Sequence, residues 1–162
     1  MAKEKSPLDE LKKDYSKLEK KYNLPAFENL NQEFQVEKIA ECETDYLIRE
    51  IRRIMADKFV NYLRFIESVL NPANSPMFVF SIIRAMTMDD KKRLTDSYKK
   101  LAEIQINLIE VDVEFSEDKE AEFVRNSYIA WQDVKKEILD FLNSINSNWK
   151  KKIDSPDKGY FN

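Results

Sequence analysis

The sequence predicts an all-α domain, and three observations lead to that prediction. The 162 residues include one glycine and five prolines, whereas hairpin turns depend heavily on glycine or asparagine at positive φ. Hydrophobic residues make up 43% of the chain, and in most segments they recur every three or four residues. Residues typical of helix starts stand before several of these segments. We therefore expect a single-domain helical bundle of about five helices with an N-terminal helical arm.

We expect one domain because the chain length falls within the roughly 100–200 residues that single domains usually have. Residues 1–43 are assigned to an N-terminal helix and an irregular connecting segment, with one short helix in that segment as the alternative. Residues 44–150 are assigned to the core of the bundle, and residues 151–162 to a flexible C-terminal tail. The first helix is predicted from Ser6 and Pro7, which provide an N-cap and a proline in the first helical position.

Four helices are predicted within the core. Their expected spans are about 44–70, 77–86, 87–111 and 116–149, and their expected caps are Thr44, Ser75, Thr87 (with Asp90 three residues later) and Ser116. The last helix is predicted from apolar residues that alternate three and four positions apart. These are Ala121, Val124, Tyr128, Trp131, Ile138, Leu142, Ile145 and Trp149, with Lys135 as the one exception.

One segment has the pattern of a β-strand. From Ile104 to Phe115, apolar and polar residues alternate, which is typical of a half-buried strand. A strand here would need a partner, and Glu33–Ile39 is the best candidate. We prefer a helix that continues to about Val111, because no glycine turn prepares a hairpin; a short β pair, 33–39 with 104–115, is the alternative.

The composition excludes several classes of active site. Without histidine there is no Ser-His or Cys-His nucleophile. With Gly159 as the one glycine there is no glycine-rich phosphate loop, and with Cys42 as the one cysteine there is no internal disulfide or structural zinc site. Acidic residues are dense between positions 110 and 120, but we interpret them as a solvated loop and the favourable first turn of a helix rather than a calcium or magnesium site. We predict no catalytic residue, no cofactor and no metal ligand.

Two carboxylate pairs nevertheless raise one enzymatic alternative. Glu117 and Glu120, followed after a spacer by Glu137 and Asp140, resemble the signature of the all-helical nucleotide pyrophosphohydrolases. The resemblance implies magnesium held by clustered carboxylates against a nucleoside triphosphate. That family carries its two motifs on separate helices, whereas here both fall on one predicted helix. At a rise of 1.5 Å per residue, Glu120 and Glu137 would be roughly 25 Å apart, too far to share a metal ion.

Arginines on the second long helix are candidates for a binding surface. Arg49, Arg52 and Arg53 lie close together, and guanidinium groups suit phosphate or carboxylate recognition. Acidic residues four positions away, Asp45 for Arg49 and Asp57 for Arg53, favour a self-paired helix face, whereas Arg52 has no such neighbour. Together with several lysine clusters these arginines support an alternative function, nucleic-acid association. The net charge of −3 makes nucleic acid possible but not favoured as a partner.

The most distinctive segment is the apolar run Met77–Ile83. A short helix that is apolar on nearly every side is either buried or presents a face to another chain. We favour burial at the centre of the domain, and in the alternative Met77, Phe78 and Phe80 bind a partner. We therefore expect a non-catalytic helical interaction or scaffold protein that binds a protein partner or itself. We expect it in the cytoplasm and without membrane contact, because neither a secretory leader nor a membrane-length apolar run stands out.

Overall fold

In a computed structural model of the chain, residues 6–154 are described, and every regular element in that range is helical. The elements are α1 (Pro7–Tyr22), α2 (Phe27–Phe34), a 3-10 helix (Val36–Glu41), α3 (Leu47–Leu70), α4 (Met77–Ala85), α5 (Met88–Val113) and α6 (Glu117–Asp154). The all-α prediction is confirmed, but the expected number of about five helices is too low. The connecting segment that we expected to be irregular contains α2 and the 3-10 helix. Of the predicted tail, residues 151–154 belong to α6 and residues 155–162 lie outside the described part.

Side-chain caps begin three of the helices as predicted. At α1, Asp9 N–H donates to Ser6 Oγ (3.2 Å), and the Asp9 carboxylate accepts the Ser6 N–H in return. The same reciprocal arrangement joins Thr87 and Asp90 at the start of α5. Ser116 Oγ accepts an N–H from the first turn of α6 (3.1 Å). Each cap satisfies a backbone donor that the helix itself leaves unpaired.

The first two helices end without glycine. Asn23 after α1 and Gln35 after α2 both take the left-handed conformation, with φ of 53° and 55°. Their N–H groups donate to the carbonyls of Glu19 and Asn31, four residues earlier. Asparagine tolerates this conformation well and glutamine less so, because only a short polar side chain can compensate for the strain locally.

The alternative β pair is wrong. Residues 104–113 continue α5, and residues 36–41 form the 3-10 helix. The strand-like alternation arises from two rows of residues on opposite sides of one helix. The buried row is Ile104, Leu108 and Val111, and the exposed row is Ile106, Ile109 and Val113. Because the two rows are interleaved in the sequence, apolar residues recur at nearly every second position, which is also the period of a strand.

Of the heptad positions predicted for α6, Val124, Trp131, Ile138 and Ile145 belong to the buried row, and they alternate with positions that do not. The row of buried residues is Glu120, Val124, Ser127, Trp131, Val134, Ile138, Phe141 and Ile145. The prediction placed Tyr128, Lys135 and Leu142 in this row, each one residue too late, and Leu142 is exposed. In the observed register Lys135 is no longer an exception, because Val134 takes the core position.

Contacts divide the described residues into two compact units. The first comprises residues 6–61 and 103–131, and the second comprises residues 62–102 and 132–154. Helices α3, α5 and α6 each contribute residues to both units. The two units are described separately below.

Aromatic side chains form much of the core of the first unit. Phe34, Phe59 and Trp131 lie within 5.6–6.2 Å of one another, measured between ring centroids. Tyr15 packs edge-on against Phe27 at 5.5 Å. Such edge-on and tilted contacts are the favoured geometry for aromatic pairs. They attach α1 and α2 to the longer helices α3 and α6.

The second unit joins the start of α5 to the C-terminal part of α6. The buried carboxylate of Asp90 accepts hydrogen bonds from the Thr87 N–H (2.8 Å) and from the Ser144 hydroxyl (2.9 Å). One helical turn further along α6, Asn148 Nδ2 donates to the carbonyl of Ala85, the last residue of α4 (2.9 Å). The end of α4 is therefore fixed at a defined place, and this positions the apolar surface described next.

Candidate interaction surface

Helix α4 has no side-chain N-cap, although hydrogen bonds anchor the chain just before its start and at its last residue. We predicted that Ser75 would cap it, but this is wrong, because the Ser75 hydroxyl donates instead to the carbonyl of Ser68 on α3 (2.9 Å). Pro76 occupies the N-cap position with no side-chain hydrogen bond to the helix. Ser75 thereby anchors the loop to α3, and proline's fixed φ suits a helix start.

The apolar side chains of α4 are mostly exposed. Met77 is 82% exposed, Phe78 58% and Phe80 38%, while Val79 and Ala85 are buried. Our favoured interpretation, that this helix is a buried central element, is therefore wrong for the three residues that were named as candidate partner-binding residues. The reason is the length of the helix, since nine residues give one buried row and leave the remaining faces uncovered.

The exposed part of α4 also lacks charge. Residues 71–83 contain no acidic or basic side chain, and Arg84 is the first charged residue after them. Met88, the first residue of α5, is a further exposed apolar residue, five positions after α4's Ile83. Single exposed apolar side chains are common, but a cluster without charge marks a surface that another molecule can cover. We name Met77, Phe78 and Phe80 the α4 patch.

The predicted arginine site has a different environment. Arg52 is 7% exposed, and its guanidinium is 2.9 Å from Asp112 Oδ1 and 3.3 Å from Glu120 Oε1. Arg49 lies 3.5 Å from the same Glu120 oxygen. Arg53 pairs with Glu50 at 3.0 Å and not through the four-residue spacing that we expected. All three guanidinium groups thus make ion pairs within the first unit, and two of them share the buried Glu120.

Arg49 is also stacked on two aromatic rings. Its guanidinium carbon lies 4.0 Å from the ring centroid of Phe115 and 4.9 Å from that of Tyr46. Such cation–π contacts contribute about 0.5–2 kcal/mol each, depending on how far the cation is desolvated. Phe115 lies in the short turn between α5 and α6, so this contact fixes that turn against the start of α3.

Glu120 is the residue that the sequence analysis did not identify as part of this cluster. Burial raises the pKa of its carboxyl, although Arg52 and Arg49 act in the opposite direction. The sequence pattern gave no signal for it, because the predicted α6 heptad began at Ala121, one residue after the buried Glu120. The arrangement neutralises a buried charge and gives no evidence of substrate chemistry.

Individual members of the other charged clusters are also paired. On the acidic segment, Glu117 Oε1 accepts from the Tyr22 hydroxyl (2.5 Å) and from Lys21 (2.9 Å), and these contacts lower its pKa. On the basic segments, Lys100 is 3.5 Å from Asp133. In the part of the chain that the structure describes, no group of three or more acidic or cysteine side chains could hold a metal ion.

The carboxylates of the pyrophosphohydrolase-like pattern all lie on α6, as their spacing predicted. Glu117 is bound to Tyr22 and Lys21, and Glu120 is paired with the arginines of α3. Glu137 lies 4.0 Å from Arg93. Glu117, Glu120 and Glu137 are therefore engaged in contacts with tyrosine, lysine and arginine side chains.

Comparison with known proteins identifies no relative, since no family model, no curated protein and no solved structure matches this chain. Within residues 6–154, none of the helices combines the length and the apolar character that a membrane crossing requires.

Proposed function

We propose that this is a non-catalytic helical interaction protein that binds another protein chain through the α4 patch. The observation that supports the proposal is the exposure of Met77, Phe78 and Phe80 on a helix with no charge before Arg84. Covering apolar surface contributes about 25 cal/mol per Å², so an uncovered cluster of this kind favours association. The pairing of the arginine and carboxylate clusters within each unit is consistent with a non-catalytic role.

A second copy of the chain is the occupant that the charge pattern favours. In a two-fold dimer the same patch meets itself, so a charge near the two-fold axis would face its own copy. Residues 71–83 avoid that repulsion because they carry no charge at all. Methionine and phenylalanine are also residue types that are enriched at protein interfaces.

The expected dimer is weak. A fully exposed side chain of this size offers about 200 Å², so at 82%, 58% and 38% exposure the three supply roughly 350 Å² per protomer, less than the roughly 800 Å² per partner of a standard interface. We therefore expect a monomer–dimer equilibrium that depends on concentration in the micromolar range, not a permanent dimer.

Light scattering after size-exclusion chromatography, over a hundredfold range of protein concentration, tests the proposal. The wild type should shift from monomer towards dimer as the concentration rises. Phe78→Asp should stay monomeric, because the new carboxylate would be desolvated against its own copy. The matched control is Ile129→Asp on α6, which places the same charge at an equally exposed apolar position and should dimerise like the wild type.

Two results would contradict the proposal. One is a wild type that remains monomeric at every concentration. The other is an equal loss of dimer in Phe78→Asp and Ile129→Asp, which would indicate a general effect of added charge. Magnesium-dependent release of pyrophosphate from nucleoside triphosphates would contradict the non-catalytic part. The cytoplasmic location expected from the sequence belongs to the same proposal and is tested by cell fractionation.

The nucleic-acid alternative receives less support from the geometry. Arg49 and Arg52 share the carboxylate of Glu120, so much of their charge is balanced inside the first unit. Arg53 is paired with Glu50 on the same helix. A protein that binds the phosphate backbone needs basic side chains that are free to release counterions, and binding to RNA or DNA at low salt is the direct check.

A further inference from the structure

Helix α5 carries a second apolar row that faces away from its buried one. Ile106 is 64% exposed, Ile109 54% and Val113 82%, and their spacing of three and four residues places them on one face. The buried residues Leu108 and Val111 lie on the opposite face of the same helix. A helix on the outside of a domain normally has a polar outer face, so this one is an exception. We name Ile106, Ile109 and Val113 the α5 strip.

One border of the α5 strip is acidic. Residues 101–118 contain six acidic side chains and no lysine or arginine. On a helix at 100° per residue, Glu103, Glu110 and Glu114 border one side of the strip and Asp112 borders the other. Asp112 is paired with Arg52 (2.9 Å) and Glu114 with Lys119, so Glu103 and Glu110 are the exposed carboxylates that give the strip a negative edge. The surface is thus an apolar row with one negative edge.

We propose that the α5 strip is the docking site for an amphipathic helix of another protein, with apolar residues at positions i, i+3 and i+7 and lysine or arginine beside them on the flank that meets Glu103 and Glu110. The apolar row provides burial, and the negative edge selects a basic partner. The strip comprises residues 106–113, and the seven steps between its ends cover about 10 Å, which is two turns of the partner helix. This surface belongs to the first unit, whereas the α4 patch belongs to the second.

The same charges argue against two other occupants. A second copy docked on the strip would bring its own Glu103 and Glu110 into the interface, and like charges across an interface cost several kcal/mol. An anionic membrane surface would be repelled in the same way, because such surfaces attract basic segments. The α4 patch, which is uncharged, has neither restriction.

A pair of synthetic helical peptides tests the proposal. Both carry leucine at i, i+3 and i+7; one has lysine at the flanking positions and the other has glutamate. Fluorescence anisotropy with the full-length protein should show micromolar binding of the lysine peptide and at least about tenfold weaker binding of the glutamate peptide. Binding of the lysine peptide should weaken as salt rises, because the flanking charges are exposed.

Variants of the chain locate the binding site. Ile109→Gln should reduce the affinity for the lysine peptide by about tenfold, because Ile109 is at the centre of the strip. Ile129→Gln, at an exposed apolar position on α6, is the matched control and should bind like the wild type. Glu110→Lys should narrow the difference between the two peptides, and circular dichroism of each variant shows that it is folded.

The proposal is overturned if the lysine peptide does not bind, or if both peptides bind equally. It is also overturned if Ile129→Gln loses as much affinity as Ile109→Gln. Binding to vesicles of anionic lipid in place of the lysine peptide would assign the strip to a membrane. Phe78→Asp should keep full affinity for the lysine peptide, so failure of the α4 proposal and failure of this one are distinguishable.

Discussion

Arg52 on α3 and Glu120 on α6 form an ion pair in the interior of the first unit. Arg52 Nε is 3.3 Å from Glu120 Oε1, and the two side chains are 8% and 0% exposed. Asp112 engages the same guanidinium on its Nη1 (2.9 Å), while the second carboxylate oxygen of Glu120 has no hydrogen-bond partner among the described residues. Removing one member of such a pair leaves the other buried without compensation, which costs more than the pair itself contributes.

Replacing Arg52 by methionine should therefore destabilise the protein by about 3 kcal/mol, as measured by urea unfolding followed by circular dichroism. Arg49 remains 3.5 Å from Glu120, which places the expected loss at the lower end of the usual range. The double variant Arg52→Met with Glu120→Leu should recover most of the loss, because an apolar pair of similar volume leaves no charge buried.

Arg53→Met is the matched control. Its guanidinium is exposed and pairs with Glu50, so we expect a loss below about 1 kcal/mol. Equal losses of stability in Arg52→Met and Arg53→Met would show that breaking the buried pair costs no more than breaking the exposed one. A double variant less stable than Arg52→Met alone would contradict the uncompensated-charge argument.

The raised pKa of Glu120 makes the stability of the protein depend on pH. Since burial raises the folded-state pKa above the ordinary value of 4.5, the folded state binds more protons than the unfolded state between the two values. The contribution of this group to stability is therefore largest below pH 4.5 and is lost as the pH rises through the raised pKa. Glu120→Gln, a mimic of the protonated form, should gain stability relative to wild type as the pH rises from about 4 to 7 in urea titrations.

Glu117 supplies a control of opposite sign. The hydrogen bonds from Tyr22 and Lys21 lower its pKa below 4.5, so its contribution is present above pH 4.5 and is lost as the pH falls through the lowered pKa. Glu117→Gln should therefore lose stability relative to wild type as the pH rises from about 3 to 6. If the two variants responded to pH with the same sign, the opposite assignments of Glu120 and Glu117 would be wrong.

Local signals in the sequence predicted most of the helices, because caps and breaks act over a few residues. Ser6, Thr87 and Ser116 each begin a helix as predicted, since a hydroxyl before an acidic first turn satisfies nearby backbone donors. The strand alternative for residues 104–115 arose because α5 is apolar on two faces. Periodicity alone does not reveal that a helix has an exposed apolar face as well as a buried one.

The pairing of Arg52 with Glu120 was beyond sequence-based prediction. The two residues are far apart in the chain, and the predicted α6 heptad began at Ala121, one residue after Glu120. Four-residue spacing within α3 suggested intrahelical partners for Arg49 and Arg53, whereas Arg49 binds Glu120 on α6. The exposure of Phe78 could not be predicted either, because the apolar composition of α4 fits both a buried and an uncovered helix.

The N-terminal cap of α5 should contribute more to the stability of the protein than its other helix caps do. Asp90 is buried and accepts from the Thr87 N–H, the Thr87 hydroxyl and the Ser144 hydroxyl. Asp90→Ala removes the acceptor of all three donors, so we expect a loss of about 2 kcal/mol in urea unfolding. The matched control is Asp9→Ala in the exposed capping box of α1, with an expected loss of about 0.5–1 kcal/mol. A loss at Asp9 that equals or exceeds that at Asp90 would contradict the role of burial.

The two tryptophans should differ in fluorescence because their surroundings differ. Trp131 is buried, its Nε1–H donates to Glu33 Oε2 (2.9 Å), and it packs against Phe34 and Phe59. Trp149 is exposed. Trp149→Phe should leave a blue-shifted emission that acrylamide quenches poorly, and Trp131→Phe should leave a red-shifted, readily quenched one. Equal quenching in the two variants would show that Trp131 is accessible in solution. The result would then contradict the aromatic core of the first unit, because acrylamide can reach the indole only if Phe34 and Phe59 do not cover it.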